Sequence, residues 1–111
     1  MSSNQVYYDL DDYQQDAVNF ALYPKQHTII YPTLGMVGEA GEVAEKVKKM
    51  LRGDGELDRE ATMKELGDVM WYVANLAKDL GYSLSEVAST NIDKLTDRKE
   101  RNVVKGSGDE R

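Results

Sequence analysis

Two pairs of acidic residues stand three positions apart in the sequence, Glu39 with Glu42 and Glu65 with Asp68. Residues three apart in a helix are neighbours on its surface, so each pair would present its carboxylates side by side. Both pairs lie at the edge of an apolar stripe that we expect to be buried, and only a short turn separates the two segments, which makes these segments antiparallel neighbours. The spacing therefore predicts that the four carboxylates meet.

Four carboxylates at the edge of an apolar core repel one another unless a cation joins them or some of them stay protonated. An all-oxygen ligand set favours hard divalent ions such as Mg²⁺, Mn²⁺ and Ca²⁺. The sequence has no Glu-x-x-His motif, which argues against the di-iron bundles. One acidic pair on a Glu-rich helix is more often solvated surface charge, but two pairs across one turn favour a metal site.

The last helical segment places a polar residue, Asn91, inside an apolar stripe, with Arg98 nearly beneath it and Lys94 at the margin. A buried Asn needs hydrogen-bond partners, and an Arg on the same stripe needs an anion. One interpretation is a structural network in which Asn91 fixes the helix register and Arg98 pairs with an acidic side chain. The other is that all three side chains hold the phosphates of a substrate, and a metal site across the bundle favours this second interpretation.

Four amphipathic helices would position these residues, and we expect them at residues 9 to about 23, 32 to about 52, 58 to 80 and 83 to about 101. Pro24 ends the first helix, while Gly53 and Gly81 offer the left-handed residues that end the next two. Ser83 and Glu86 form a capping box for the fourth. No strand-like alternation accompanies them, so the fold class is all-α and resembles a four-helix bundle. One domain would span residues 1–101, followed by a tail at residues 102–111.

Composition narrows the function classes. The chain has 111 residues and a formal net charge of −6, which argues against binding a nucleic-acid backbone. It has no cysteine, which excludes disulfides and cysteine zinc sites. The N-terminal residues lack the basic flank and apolar core of a signal peptide, and there is no run of eighteen apolar residues. We therefore expect a cytoplasmic protein that binds phosphates through a metal.

Gly38 and Gly41 weaken the helix that carries the first acidic pair, by about 1 kcal/mol each relative to alanine. Both lie on the acidic side of this helix, bordering Glu42. A side chain there could crowd a metal, its waters or a triphosphate. We expect these glycines to keep room at the site.

The two acidic pairs form an E-x-x-E motif followed after a turn by E-x-x-D. They lie within the first two of four longer sequence runs, YPTLGMVGEAGEVAEKVKK, KELGDVMWYVANLA, NIDKLTDRKERN and KGSGDER. This ordered set, from about residue 8 to the C-terminus, resembles the MazG-like nucleotide pyrophosphohydrolases of the all-α NTP pyrophosphatase superfamily. The resemblance implies hydrolysis of nucleoside triphosphates, often deoxy forms, to monophosphate and pyrophosphate with Mg²⁺, for which Mn²⁺ can substitute. It also implies metal ligands at Glu39, Glu42, Glu65 and Asp68, and phosphate-facing residues at Asn91, Lys94 and Arg98.

In the resulting hypothesis, a water positioned by the metal and by Glu39 or Glu42 attacks the α-phosphorus, and pyrophosphate leaves. Cationic side chains stabilise the phosphate charge, and the candidates are Lys46, Lys94 and Arg98.

Trp71 and Tyr72 are candidates to stack on the base, although Trp71 suits a subunit interface equally well. The similarity of the tail to the family's ending suggests that it folds over the site, with Lys105 near phosphate.

Two other functions stay open. A helical interaction module without catalysis would bury the same stripes and use the acidic flanks for solubility. A pyrophosphohydrolase of another nucleotide, such as phosphoribosyl-ATP, would keep the metal site and read a different head group. Four thin helices with flanking aromatic residues suggest a homodimer, and the resemblance suggests a dimer of dimers.

Overall fold

The computed structural model describes residues 9–102 and residue 108. It contains four α-helices, α1 (Leu10–Val18), α2 (Ile30–Leu51), α3 (Arg59–Asp79) and α4 (Leu84–Glu100), and a short 3₁₀ turn at Lys25–His27. These described residues form no strand, so the prediction of an all-α fold with four helices is confirmed. Within the same ranges, no helix combines the length and the apolar character that crossing a bilayer requires.

The helix ends are fixed by residues that the sequence identified. The Asp58 carboxylate accepts a hydrogen bond of 3.0 Å from an amide in the first turn of α3, as a helix N-cap does. Ser83 and Glu86 form the capping box of α4, in which each side chain bonds the other residue's amide. Gly81, with a φ of +89°, follows the end of α3 in the left-handed conformation that glycine adopts most readily.

The first helix is shorter than predicted, because it ends at Val18 rather than near Tyr23. The indole N–H of Trp71 donates to the carbonyl oxygen of Ala17 at 3.0 Å, and the amide of Phe20 donates to the same oxygen at 3.2 Å. These bonds occupy the acceptor that another turn of α-helix would use. Phe20, which a helix extending to Tyr23 would place on its apolar stripe, is 73% exposed. A contact from α3 therefore overrides the local pattern.

The core is small and lies where α1, α3 and α4 meet, and its buried apolar residues are Ala17, Ala74, Ala77 and Leu84. The polar side chain of Gln14 is also buried here. Its amide nitrogen donates to the carbonyl oxygens of Ala74 and Tyr82, and its amide oxygen accepts from the amide of Leu84. Because these bonds satisfy the buried amide, Gln14 ties α1 to the junction between α3 and α4.

The second helix packs mainly on α3, and its apolar stripe is divided between two surroundings. Met36 and Val43 are half-buried, whereas Val37 and Leu51 are 63% and 78% exposed. The expectation that the whole stripe is buried is therefore wrong within one chain. The physical reason is that the stripe covers about 140° of the helix surface, at 100° per residue, which is more than a single neighbouring helix can cover.

Candidate metal centre

The hairpin formed by α2 and α3 brings three acidic side chains together. Glu39 projects from α2 and Glu65 and Asp68 project from α3, and one carboxylate oxygen of each lies within 4.8 Å of the others. Oxygen ligands of one hard divalent ion lie at most about 4 to 5 Å apart, which is twice the metal–oxygen distance. Glu39 and Glu65 are half-buried and Asp68 is exposed. The cluster is therefore sheltered between the helices and open on one side.

The groups that shift the pKa of Glu39 are all carboxylates, so none of them offsets its negative charge. A hydrogen bond shared with Glu65 raises the pKa of Glu39 most, and desolvation and the charges of three neighbouring carboxylates raise it further. In addition, Oε2 of Glu65 is buried and has no hydrogen-bond partner. A buried carboxylate oxygen without a donor is unfavourable. One divalent cation would satisfy this oxygen and offset the repulsion, so the residues fit such an ion.

Glu42, the fourth expected ligand, lies beside the cluster rather than in it. It is exposed, one helical turn along α2 from Glu39, and its charge contributes to the raised pKa of Glu39. Lys46 is half-buried one turn further on, about 10 Å along the helix from Glu39. The structure thus brings together three of the four expected ligands.

Tyr72 connects the acidic cluster to a group of aromatic rings. Burial raises its pKa first, followed by the neighbouring Tyr31 and by two carboxylates of the cluster, so the phenol lies close to both. Its ring meets Trp71 edge-on at a centroid distance of 5.0 Å, and Tyr31 stacks on Tyr23 at 5.0 Å. These four rings border a cavity of about 280 Å³. An aromatic cavity therefore adjoins the cluster.

The α4 residues that we expected to face the carboxylates lie elsewhere in this chain. Asn91 is exposed rather than buried in its stripe, and together with Lys94 it lines a separate cavity of about 440 Å³. Arg98 is 4% exposed, and its Nη2 donates to the carbonyl oxygen of Gly108 at 3.3 Å. The physical reason is that α4 packs on α1 and α3, whereas α2 packs mainly on α3. Lys105 and most of the tail lie outside the described residues.

The glycine that the local geometry requires is one that sequence reasoning missed. A Cβ atom at Gly35 would overlap the ring of Tyr72, so the absence of a side chain lets this ring lie against the backbone of α2. At Gly38 and Gly41, by contrast, a Cβ atom would meet nothing within 4 Å in this chain. The available signal was a third glycine one turn before Glu39, but only the packing of α3 shows which glycine faces a ring.

Comparison with known protein families shows which family the sequence belongs to. A model of the MazG nucleotide pyrophosphohydrolase domain matches residues 28–103, which include both helices of the acidic cluster. The chain belongs to this MazG family. A relative of this MazG chain, the Gene 37 protein of Mycobacterium phage L5, is 48% identical over 112 residues, covering 92% of this chain and 98% of the relative. No solved structure matches the chain.

Membership of the MazG family supports nucleotide pyrophosphohydrolase activity in general terms, and enzymes of this type generally depend on divalent metals. The acidic cluster is the feature of the structure that agrees with this dependence. The family model also covers α4, so the matched region extends beyond the cluster to the helix that carries Asn91, Lys94 and Arg98.

The raised pKa of Glu39 predicts how metal-free protein responds to pH. A carboxyl whose pKa is higher in the folded state holds its proton more tightly there, so stability is greatest below the ordinary glutamate pKa and falls as pH rises through the raised value. Glu39→Gln keeps a donor to Glu65 and removes the charge. We expect the variant to melt at a higher temperature than wild type at neutral pH in EDTA, with a flatter pH dependence.

Glu45→Gln on the same helix is the matched control. Lys48 lowers the pKa of Glu45, and the two side chains pair at 3.0 Å. This carboxylate favours the folded state above its ordinary pKa, and the benefit is lost as pH falls. The Glu45 variant should therefore melt at the wild-type temperature or slightly below it. Equal melting temperatures for wild type and the Glu39 variant, from acidic to neutral pH, would contradict the account.

Proposed function

We propose that the protein is a Mg²⁺-dependent nucleoside triphosphate pyrophosphohydrolase that releases a nucleoside monophosphate and pyrophosphate. The observation that carries the proposal is the cluster of Glu39, Glu65 and Asp68 with its unpartnered buried oxygen, on helices that the MazG model matches. The resemblance in sequence further suggests deoxynucleotides as preferred substrates and Mn²⁺ as a substitute metal. We also propose that the protein acts in the cytoplasm, where such substrates occur.

The proposed metal ligands are the three clustered carboxylates together with Glu42. When bound, the metal supplies positive charge for the phosphate oxygens and lowers the pKa of a coordinated water. This charge lets a chain with a formal net charge of −6 accept an anionic triphosphate. The ligands therefore serve both binding and catalysis.

In the proposed reaction, water attacks the α-phosphorus and the bond from this phosphorus to the oxygen bridging to the β-phosphate breaks, so that pyrophosphate leaves. Glu42 is the first candidate to accept the proton of the water, because it is exposed beside the cluster, and Glu39 is the second. Lys46, on the same helix, is the candidate to stabilise charge on the departing phosphates.

The aromatic cavity is the proposed site of the base. Tyr72 lies next to the carboxylates and Trp71 lies next to Tyr72, so a nucleotide whose phosphates meet the cluster can extend its base toward these rings. Stacking on an aromatic face contributes about 1 to 3 kcal/mol per base in proteins that bind single-stranded nucleic acids. A cavity of about 280 Å³ is of the right order for a base but too small for a whole nucleotide.

Removal of the clustered carboxylates tests the proposal. Glu65→Gln and Asp68→Asn should each lower the rate of pyrophosphate release by more than about a hundredfold, since even residues that merely support metal ligands typically contribute 10- to 100-fold. The measurement is a screen of canonical and modified nucleoside triphosphates and phosphoribosyl-ATP, with products identified as monophosphate and pyrophosphate.

Glu45→Gln, which alters an outward carboxylate of α2 paired with Lys48, should retain wild-type activity. A wild-type protein that hydrolyses none of these compounds with Mg²⁺ or Mn²⁺ would refute the proposed function. Near-normal rates in the Glu65 and Asp68 variants would refute the assignment of the site.

We further propose that the protein is a homo-oligomer, either a homodimer or a dimer of dimers. Apolar side chains at helical spacing remain exposed along α2, and they include Ile30, Leu34, Val37 and Leu51. A contiguous exposed apolar surface is typical of an interface. A second copy would cover it, and its α4 would supply Asn91 and Lys94 to the acidic cluster, whereas Arg98 is buried within its own chain.

Light scattering during gel filtration tests this assembly. Val37→Glu should reduce the mass to that of one chain, whereas Lys49→Glu, an exposed position of α2 outside this apolar stripe, should not. If α4 of a second copy completes the site, inactive Glu65→Gln chains mixed with inactive Lys94→Ala chains should regain activity, because one site of a mixed dimer is intact. A monomeric wild-type protein, or mixtures that stay inactive despite exchanging chains, would contradict this assembly.

A further inference from the structure

Asp79, the last residue of α3, makes two hydrogen bonds through one carboxylate oxygen. Its Oδ2 accepts from the hydroxyl of Tyr23 at 2.8 Å and from the backbone amide of Ile29 at 2.9 Å. Tyr23 and Ile29 lie on either side of the segment that contains the 3₁₀ turn, so a single carboxylate joins both ends of this segment to α3. Asp79 lies about 16 Å along α3 from Asp68, which separates it from the acidic cluster.

Ile29 adopts a backbone conformation that it would not choose alone. Its φ is +71° and its ψ is −48°, a region that β-branched residues rarely occupy. Such conformations persist where the surroundings hold them, and the bond from the Ile29 amide to Asp79 is one such restraint. The Ile29 carbonyl in turn accepts from the amide and the hydroxyl of Thr33 in the first turn of α2. The restraint therefore sets how α2 begins.

The first turn of α2 places Tyr31, whose ring stacks on Tyr23 with an interplanar angle of 16°. Both rings that Asp79 controls, Tyr23 directly and Tyr31 through Ile29, border the cavity next to Tyr72. Two donors at this cavity are already engaged, since the Tyr23 hydroxyl donates to Asp79 and the Trp71 indole donates to Ala17. A ligand in the cavity therefore meets aromatic rings, two of which already use their hydrogen-bond donors within the protein.

We infer that Asp79 is a positioning residue that holds Tyr23 and Tyr31 as one wall of a base-stacking cavity beside the acidic cluster. This inference rests on the proposed function. Because the cavity is lined by aromatic rings and the donors of Tyr23 and Trp71 are engaged, it recognises the planar shape of a base more than the pattern of its edge. The residue acts on binding of the nucleoside part and leaves the chemistry at the α-phosphorus unchanged.

Steady-state kinetics separate these roles. Asp79→Ala should raise KM about tenfold or more for both a purine and a pyrimidine nucleoside triphosphate, while kcat and the Mg²⁺ dependence stay within about twofold of wild type. Tyr23→Phe removes one of the two bonds and keeps the ring, so its KM should lie between those of wild type and Asp79→Ala. Asp93→Ala, at an exposed position of α4, is the matched control and should leave KM unchanged.

Trp71 is the only tryptophan of the sequence, so its fluorescence reports on the cavity without any turnover. Adenosine and deoxycytidine monophosphates should quench it in wild type and in the inactive Glu65→Gln variant, and more weakly in Asp79→Ala and Tyr23→Phe. If Asp79→Ala fails to fold, as judged by circular dichroism, Tyr23→Phe alone carries both measurements.

The outcomes distinguish this inference from the proposed function. Unchanged KM and unchanged quenching in the folded variants of an active enzyme overturn the inference and leave the function standing. A loss in kcat equal to the change in kcat/KM also overturns it. Absence of hydrolysis by wild type refutes the function, and quenching that depends on Asp79 in that case still supports the cavity.

Discussion

Three carboxylates whose oxygens lie within 4.8 Å of one another cannot all be charged at low cost between two helices without a counterion. In the metal-free protein, a hydrogen bond between Glu39 and Glu65 relieves this repulsion. The bond requires a proton and raises the pKa of Glu39. The other oxygen of Glu65 remains buried without a partner. The acidic cluster therefore lowers the stability of the metal-free fold, as is common for binding sites.

The rest of the structure leaves the acidic cluster open on one side. The core lies where α1 and α4 pack on α3, and small alanines there allow the helices to approach closely. Gln14 joins these three helices through its buried amide. The second helix packs mainly on α3, with Gly35 accommodating the ring of Tyr72. Because α4 packs on α1 and α3 while α2 packs mainly on α3, the acidic cluster has room for a substrate, and the remaining apolar surface of α2 has room for a second copy.

Much of the fold could be predicted because its signals are local. Asp58, Ser83 with Glu86, and Gly81 fix helix ends through bonds within one turn, and these ends were confirmed. The end of α1 was not local, since it depends on the indole of Trp71 from α3. A helical stripe likewise shows which residues are apolar and leaves open which neighbour covers them.

The same distinction explains the candidate site. The i, i+3 spacing of Glu65 and Asp68, together with the turn before them, was enough to place both opposite Glu39. The position of α4 follows instead from Gln14 and Leu84, so the surroundings of Asn91 and Lys94 could not be read from their own helix. Asp79 escaped notice because its partners lie 50 and 56 residues away in sequence.

The most direct test of the acidic cluster as a metal centre is X-ray diffraction near the manganese absorption edge from crystals grown with Mn²⁺ and a non-hydrolysable nucleoside triphosphate. The account predicts an anomalous peak in contact with carboxylate oxygens of Glu39, Glu65 and Asp68. Crystals that contain the nucleotide but show no manganese at these three side chains, or manganese bound only elsewhere, would contradict it.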